Sequence, residues 1–443
     1  METALIKEIN FKNVMKFTIP TIVMMVFMAV YQMVDGIFIS NLIGTDALSA
    51  VNIVFPVISL LIGISIMLGT GGSAIIAANL GEGRHREAKQ RFTFITIVGL
   101  VVGAAAGILG FTLASPLSRA LGSTPSIHGY CVDYISTLSL AAPFAVLQML
   151  FTCFFPAAGK PKLGLAVVAA GGIANVILDW VFISKLHLGI RGAATATGIG
   201  YAIPAVFGVL YFFVKRDCLL CFERPKKEFR MLASACFNGS SEMVTNLANG
   251  VTTFLFNLMM MKLVGEDGVA AITVALYAQF LLTAVYMGYS GGIAPVISYN
   301  YGKQDKDALR HTVKISLIFI ILNSILWFIL SILLENTIAG IFVQEGGNVR
   351  TIIKDGWKLF TLTFLISGFN IFASSMFTAF ANGAVSAIIS FLRTFGFLSA
   401  SIVLLPQVMG VDGIWLSVPA AEALTICISL AFFIKYRKRY SYI

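Results

Sequence analysis

The sequence predicts an all-α polytopic membrane protein, with about twelve transmembrane helices in two six-helix bundles related by an internal repeat. Three observations carry that expectation. Of the 443 residues 58% are hydrophobic and 12% charged, and the mean hydropathy is +0.89, too apolar for a domain whose surface must be wetted. Apolar runs long enough to cross about 30 Å of hydrocarbon recur along the whole chain. Finally, the chain matches itself when shifted by 221 residues.

Taken in order, the apolar runs fall at 17–40, 50–79, 92–114, 129–155, 163–184, 192–214, 233–263, 269–300, 311–333, 354–380, 384–405 and 412–434. Met1–Lys16 mixes both charge signs and lacks a small-residue cleavage site, so no removable leader is expected. The net charge of +10 is gathered at alternate connections: Lys7, Lys12 and Lys16; Arg84, Arg86, Lys89 and Arg91; Lys160 and Lys162; the Lys215–Arg230 loop; Lys303, Lys306, Arg310 and Lys314; and the tail from Lys435 to Arg439. The other connections carry fewer bases, such as Arg119, Lys185, Arg191 and Arg350, beside the acids Asp46, Glu266, Asp267 and Glu345. By the positive-inside rule both termini face the cytoplasm of a multi-pass cell-membrane protein. Basic residues in short clusters between apolar runs sit against anionic lipid headgroups, and nucleic acid is not an expected partner. The one close cysteine pair, Cys218 and Cys221, lies in a loop placed in reducing cytoplasm with no second pair beside it, so neither a disulfide nor a zinc site is expected there.

Under the 221-residue shift Gly44-Thr45-Asp46 meets Gly265-Glu266-Asp267, Ala50 meets Ala271, Gly71 meets Gly292, Asn79 meets Asn300, Gly81 meets Gly302, and Gly189-Ile190-Arg191-Gly192 meets Gly410-Val411-Asp412-Gly413. One shift aligns both ends of the half. This predicts lobes spanning 1–221 and 222–443 in the same orientation, joined by the charged loop near 215–232. Parallel repeats of this kind are a transporter architecture with the substrate path between them.

The repeat also isolates the chemistry. Asn175 and Asp179 stand four residues apart inside an apolar run, on one face of a helix. An ionisable group at such depth costs roughly 2.5–3.5 kcal/mol to insert, which marks it as a pathway or ion-site residue. Helix rise places Asp35, Asp179 and Thr197 in the outer half of the first bundle. Shifting Asp35, Asn175, Asp179 and Thr197 by 221 gives Phe256, Gly396, Ala400 and Val418, so this cluster belongs to the first half alone. Two carboxylates, an amide oxygen and a hydroxyl are hard ligands suited to a small cation, and two carboxylates brought together would also hold a proton. The residues leave Na⁺ and H⁺ open as coupling ion. Pro20 is a candidate for bending the first helix.

Val34-Asp35-Gly36, Pro20 before it, Gly81-Glu82-Gly83 with Ala88, Asn175 with Asp179, and Gly192-Ala193-Ala194-Thr195-Ala196-Thr197 together resemble the multidrug and toxic compound extrusion (MATE) family, in its bacterial branch with the ion site in the N-terminal lobe. The resemblance covers the whole chain. It implies a V-shaped pair of six-helix lobes exporting cationic, amphipathic compounds in exchange for Na⁺ or H⁺, with Asp35, Asn175, Asp179 and Thr197 as ion residues. Many members follow the helix-five acid with proline, whereas Trp180 stands here, so the origin of a local bend is open.

The second half has its own charges near mid-membrane: Glu242, Arg393 and Glu422, at positions equivalent to Thr21, Gly172 and Tyr201. Arg393 is expected to form a structural ion pair with one of the acids, Glu422 being a candidate partner, which leaves Glu242 to face the substrate cavity. Clustered methionines such as Met24, Met25 and Met28, and Met259 to Met261, suit a promiscuous cavity but equally suit packing and lipid contact. A flippase for a lipid-linked or isoprenoid-linked precursor is the alternative reading. Such a protein should line its cavity with several basic residues, and Arg393 alone stands against Asp35, Asp179, Glu242 and Glu422. His85, His128, His187 and His311 all lie at or near loops, so neither an enzyme nor a cofactor is expected. A monomer is the expected state.

Overall fold

The computed structural model describes residues 8–215, 218–335, 337, 340 and 348–442; Lys7 and Glu345 lie outside these. Among them the chain is helical, in twelve long or bent segments; nine helices are long and apolar enough to cross a membrane, eleven if each bent pair is one span, and Phe229–Leu263 is the twelfth segment. The first half holds α1 (Phe11–Leu42), α2 (Thr45–Gly81), α3 (His85–Thr112), α4 (His128–Ser139 with Ala142–Ala157), α5 (Pro161–Lys185) and α6 (Gly189–Val214). The second holds α7 (Phe229–Leu263), α8 (Glu266–Gly302), α9 (Lys306–Leu333), α10 (Asn348–Thr361 with Thr363–Ala379), α11 (Gly383–Met409) and α12 (Ser417–Tyr440). Side chains such as Ile108, Phe213, Leu322 and Val408 are exposed on the outer faces, as lipid-facing residues of a bundle are.

Several spans depart from the sequence expectation. α4 and α10 are broken helices, bent by 60° and 47° respectively. The stretch expected to open at 412 is instead a short turn, Val411–Trp415, followed by α12. Residues 229–232, expected in the loop, already belong to α7. α1 starts at Phe11 rather than 17, which puts Pro20 in the helix interior and not near its start. α5 leaves α-helical geometry after Asp179 and continues as π-helical turns over Trp180–Lys185; α11 does the same over Leu392–Leu398.

The 221-residue repeat is visible in the backbone. α2 and α3 begin and end 221 residues before α8 and α9, and α1 ends 221 before α7. Left-handed residues recur with the same spacing: Gly44 and Gly265 before α2 and α8, Gly83 and Gln304 after them, and Gly189 and Gly410 ahead of the last span of each half. Glycine adopts this conformation without the penalty a Cβ brings, which is why Gly44/Gly265 and Gly189/Gly410 stood out in the sequence.

Packing is equivalent within the halves and crossed between them. α1 lies on α5 as α7 lies on α11, and the second segments of α4 and α10 lie on α2 and α8. Between halves, α2 runs along α7, α1 along α8, and α2 meets α8. A methyl at Gly81 would strike the Tyr299 carbonyl, and one at Gly302 would strike the Ala78 carbonyl, two contacts related by the repeat. Gly71 abuts the α7 backbone at Ala235, and Gly288 abuts α1 at Thr21 and Ile22. These approaches all lie in the halves of the helices nearest the basic connections. The connection itself is strapped to the first half. Phe222 stacks on Phe92 with ring centroids 5.1 Å apart, Arg86 donates to Glu223 at 3.1 Å, and Arg91 lies 3.0 Å from Glu228.

Candidate functional site

Asp35 projects from α1 three quarters of the way to its C-terminal end, Asn175 and Asp179 from one face of α5, and Thr197 from the third turn of α6. α5 packs against both α1 and α6, which brings the four residues together. Asn175 (2% exposed), Asp179 (0%) and Thr197 (8%) are buried, and Asp35 is half-buried. Asn175 Nδ2 lies 3.5 Å from Thr197 Oγ1, whose hydroxyl also donates to the Ala193 carbonyl at 3.0 Å. Asp35 and Asp179 are close enough to interact electrostatically, with the Asn175 amide beside Asp179.

The oxygens of this cluster are left over. Asp35 Oδ1, Asn175 Oδ1 and both carboxylate oxygens of Asp179 are buried without a hydrogen-bond partner. An unpartnered buried oxygen is costly, and two facing carboxylates cannot both keep their charge in a low-dielectric interior. A proton shared between them, or a small cation held by four hard oxygens, would satisfy the arrangement.

Three tyrosines and a glutamine surround the pair, and sequence reasoning missed them. Tyr31, Tyr134 and Tyr201 lie within electrostatic range of Asp35, and Gln148 lies beside Tyr31. Tyr31 stands four residues before Asp35 and Tyr201 four after Thr197, one helical turn away on the same face. That spacing was the available signal. Tyr134 and Gln148 come from the two segments of bent α4 and carried none.

Trp180 occupies the place where proline was considered, and the chain is redirected by other means: the π-helical turns begin directly after Asp179. Such turns are often found at functional sites. Pro20 is buried within α1, where it has no N–H to offer the preceding turn.

In the second half Arg393 rises from the π-helical turns of α11 and pairs with Glu422 of α12. Its Nε and Nη2 both reach Glu422 Oε1 at 2.8 Å. Asn370 Nδ2 donates to Glu422 Oε2 at 2.7 Å and to the Glu422 carbonyl at 3.0 Å. Glu422 is thus buried with both carboxylate oxygens occupied. Glu242 of α7 is half-buried and forms no ion pair among the described residues. It lies between the halves, in range of both Arg393 of the second and Cys153 of the first. The neighbouring Met243 packs over Gly63 of α2. Met24 and Met28 are buried around Tyr31 and Met149 rather than lining an open surface. A cavity of about 760 Å³ lies elsewhere, between Arg91, Glu228 and Met231 at the strapped connection.

Comparison with known proteins places this architecture. The chain is 24% identical over 442 residues to the multidrug export protein MepA of Staphylococcus saprophyticus, covering 98% of this chain and 95% of that protein. It is 23% identical over 440 residues to MepA of Staphylococcus aureus strain MRSA252, covering 97% and 94%. Among solved structures it superposes with an outward-facing multidrug resistance MATE transporter of the MOP superfamily at a TM-score of 0.89, 22% identity and 100% and 98% coverage. It also superposes with a MOP superfamily transporter from Pyrococcus furiosus at 0.84, 21% identity and 97% and 96% coverage. The MatE family model matches residues 20–181 and again 243–401; moved back by 221, the second stretch is 22–180. With both halves matched over most of their length, the chain belongs to the MatE family of multidrug and toxic compound extrusion transporters.

Proposed function

We propose that this protein exports cationic, amphipathic compounds across the cell membrane, driven by Na⁺ or H⁺ that enters at Asp35, Asn175, Asp179 and Thr197. The observation that carries the coupling is the convergence of four unpartnered buried oxygens from α1 and α5. Arrival of a cation or proton changes the charge of that cluster, and so acts differently on two packings of α1 against α5 and α6. Transport of organic cations rests on the similarity to multidrug export proteins and on Glu242, an acid between the halves with no ion-pair partner among the described residues. The one mid-membrane cation identified, Arg393, is tied to Glu422, which disfavours a flippase for anionic headgroups. We further propose lobes at 1–221 and 222–443 with residues 222–228 strapped across the first, termini and basic connections in the cytoplasm, a monomeric protein surrounded by lipid, and transport without enzymatic chemistry.

Efflux from cells loaded with a fluorescent organic cation tests the reading, with the Na⁺ and pH gradients collapsed separately. Collapse of one gradient should stop efflux and identify the coupling ion. Efflux indifferent to both would refute cation coupling.

A further inference from the structure

We propose that Arg393 is a tethered rival of the substrate: it competes with an organic cation for Glu242, and Glu422 with Asn370 sets the affinity by holding it away. This deepens the transport reading above and rests on it. The π-helical turns that carry Arg393 pack on both α12, which bears Glu422, and α7, which bears Glu242. The Arg393 guanidinium is thus paired with Glu422 and lies within electrostatic range of Glu242. It is not shared: both of its short contacts go to one oxygen of Glu422, while Asn370 occupies the other. Glu242, without an ion pair, keeps a deficit that a substrate cation would fill. If Glu422 lost its charge, the guanidinium would be the unpaired ion in a low-dielectric interior, and the nearest remedy is Glu242. An arginine offers five N–H donors on a long side chain, so one group can serve either acid. The π-helical turns, which close with an extra residue, supply a backbone able to adjust.

The test is binding of tetraphenylphosphonium to the purified full chain in detergent, measured by titration calorimetry. Wild-type protein should bind. Glu422→Gln should weaken binding about tenfold, and adding Arg393→Met to it should restore affinity to within about twofold of wild type, since removing a buried pair together leaves no uncompensated charge. In a Glu242→Gln background, Glu422→Gln should have no further effect. A monodisperse Glu422→Gln protein with wild-type affinity overturns the proposal, as does a loss that Arg393→Met fails to reverse. Should Glu422→Gln not fold, Glu422→Asp decides: it keeps the charge but withdraws the carboxylate, and binding should weaken at least threefold, unchanged affinity again overturning the idea. Wild-type protein that binds no tetraphenylphosphonium refutes the transport reading and this inference with it, whereas binding indifferent to Glu422 refutes the inference alone.

Discussion

Asp35 and Asp179 have each other for neighbours and, among the described residues, no ion-pair partner to neutralise them. Asp35→Asn and Asp179→Asn keep shape while removing charge, so each should abolish gradient-driven efflux at normal expression. Thr197→Ala removes a single neutral ligand and should reduce efflux only partly. Near wild-type efflux by both asparagine variants would exclude a shared cluster as the coupling site. Arg393 poses the opposite case, a charge whose partner is in place. Removing one member of a buried pair typically costs about 3–5 kcal/mol, so Arg393→Ala should lower folded yield as much as transport. Wild-type yield with efflux alone lost would show that the pairing with Glu422 contributes little to folding.

At the scale of elements, the helix ends outside the membrane can be tested by titration. Asp305 caps α9: its Oδ1 accepts the Ala308 N–H at 3.0 Å and its Oδ2 lies 3.2 Å from Lys303 Nζ. The Ala308 N–H, and after it the Lys303 ammonium, hold this carboxyl below the usual carboxylate range. The cap's contribution is therefore present above the unfolded-state value and is lost as pH falls through the lower folded-state one. Asp305→Ala should cost about 1 kcal/mol at neutral pH. Thermal unfolding in detergent should show that gap closing as the pH falls into the range where Asp305 protonates; a gap that persists there would discount the cap. Most elements were legible because a membrane span has to be long and apolar. α7 was legible as an apolar run over 233–263, although Asn238, Ser241, Glu242, Asn246 and Asn249 lie along it and keep it outside the helices apolar enough to cross a membrane. The bends in α4 and α10 and the π-helical turns were not legible, since composition gives length and burial but not where a helix changes pitch. The polar cluster was half legible: Asp35, Asn175, Asp179 and Thr197 announce themselves as polar residues in apolar runs, whereas Tyr134 and Gln148 join only through the fold of α4.

For the whole molecule, the crossed packing of α1 on α8 and α2 on α7 brings the two halves into close backbone contact near the basic connections. A side chain at Gly81 or Gly302 cannot be accommodated against the carbonyl it faces. Gly81→Val and Gly302→Val should each wedge this contact apart and shift the population toward the state open on the basic side. Labelling of a single cysteine introduced beside this contact, by a membrane-impermeant reagent on inside-out vesicles, should rise in both variants, to a similar degree because the contacts are equivalent. Unchanged labelling would show that this contact does not govern closure.

Those paired contacts also bear on descent. When Gly81 of one half touches Tyr299 and Gly302 of the other touches Ala78, each half presents the same patch to its counterpart, the isologous contact of a C₂ dimer written into one polypeptide. A unit of six spans begins and ends on the same face of the bilayer, so two copies can be fused head to tail without either turning over; an odd number would have inverted the second. An ancestral six-span protein could accordingly have worked as a symmetric pair. Once the copies were joined, they were free to diverge, one carrying Asp35 and Asp179 and the other, at non-equivalent positions, Arg393 and Glu422.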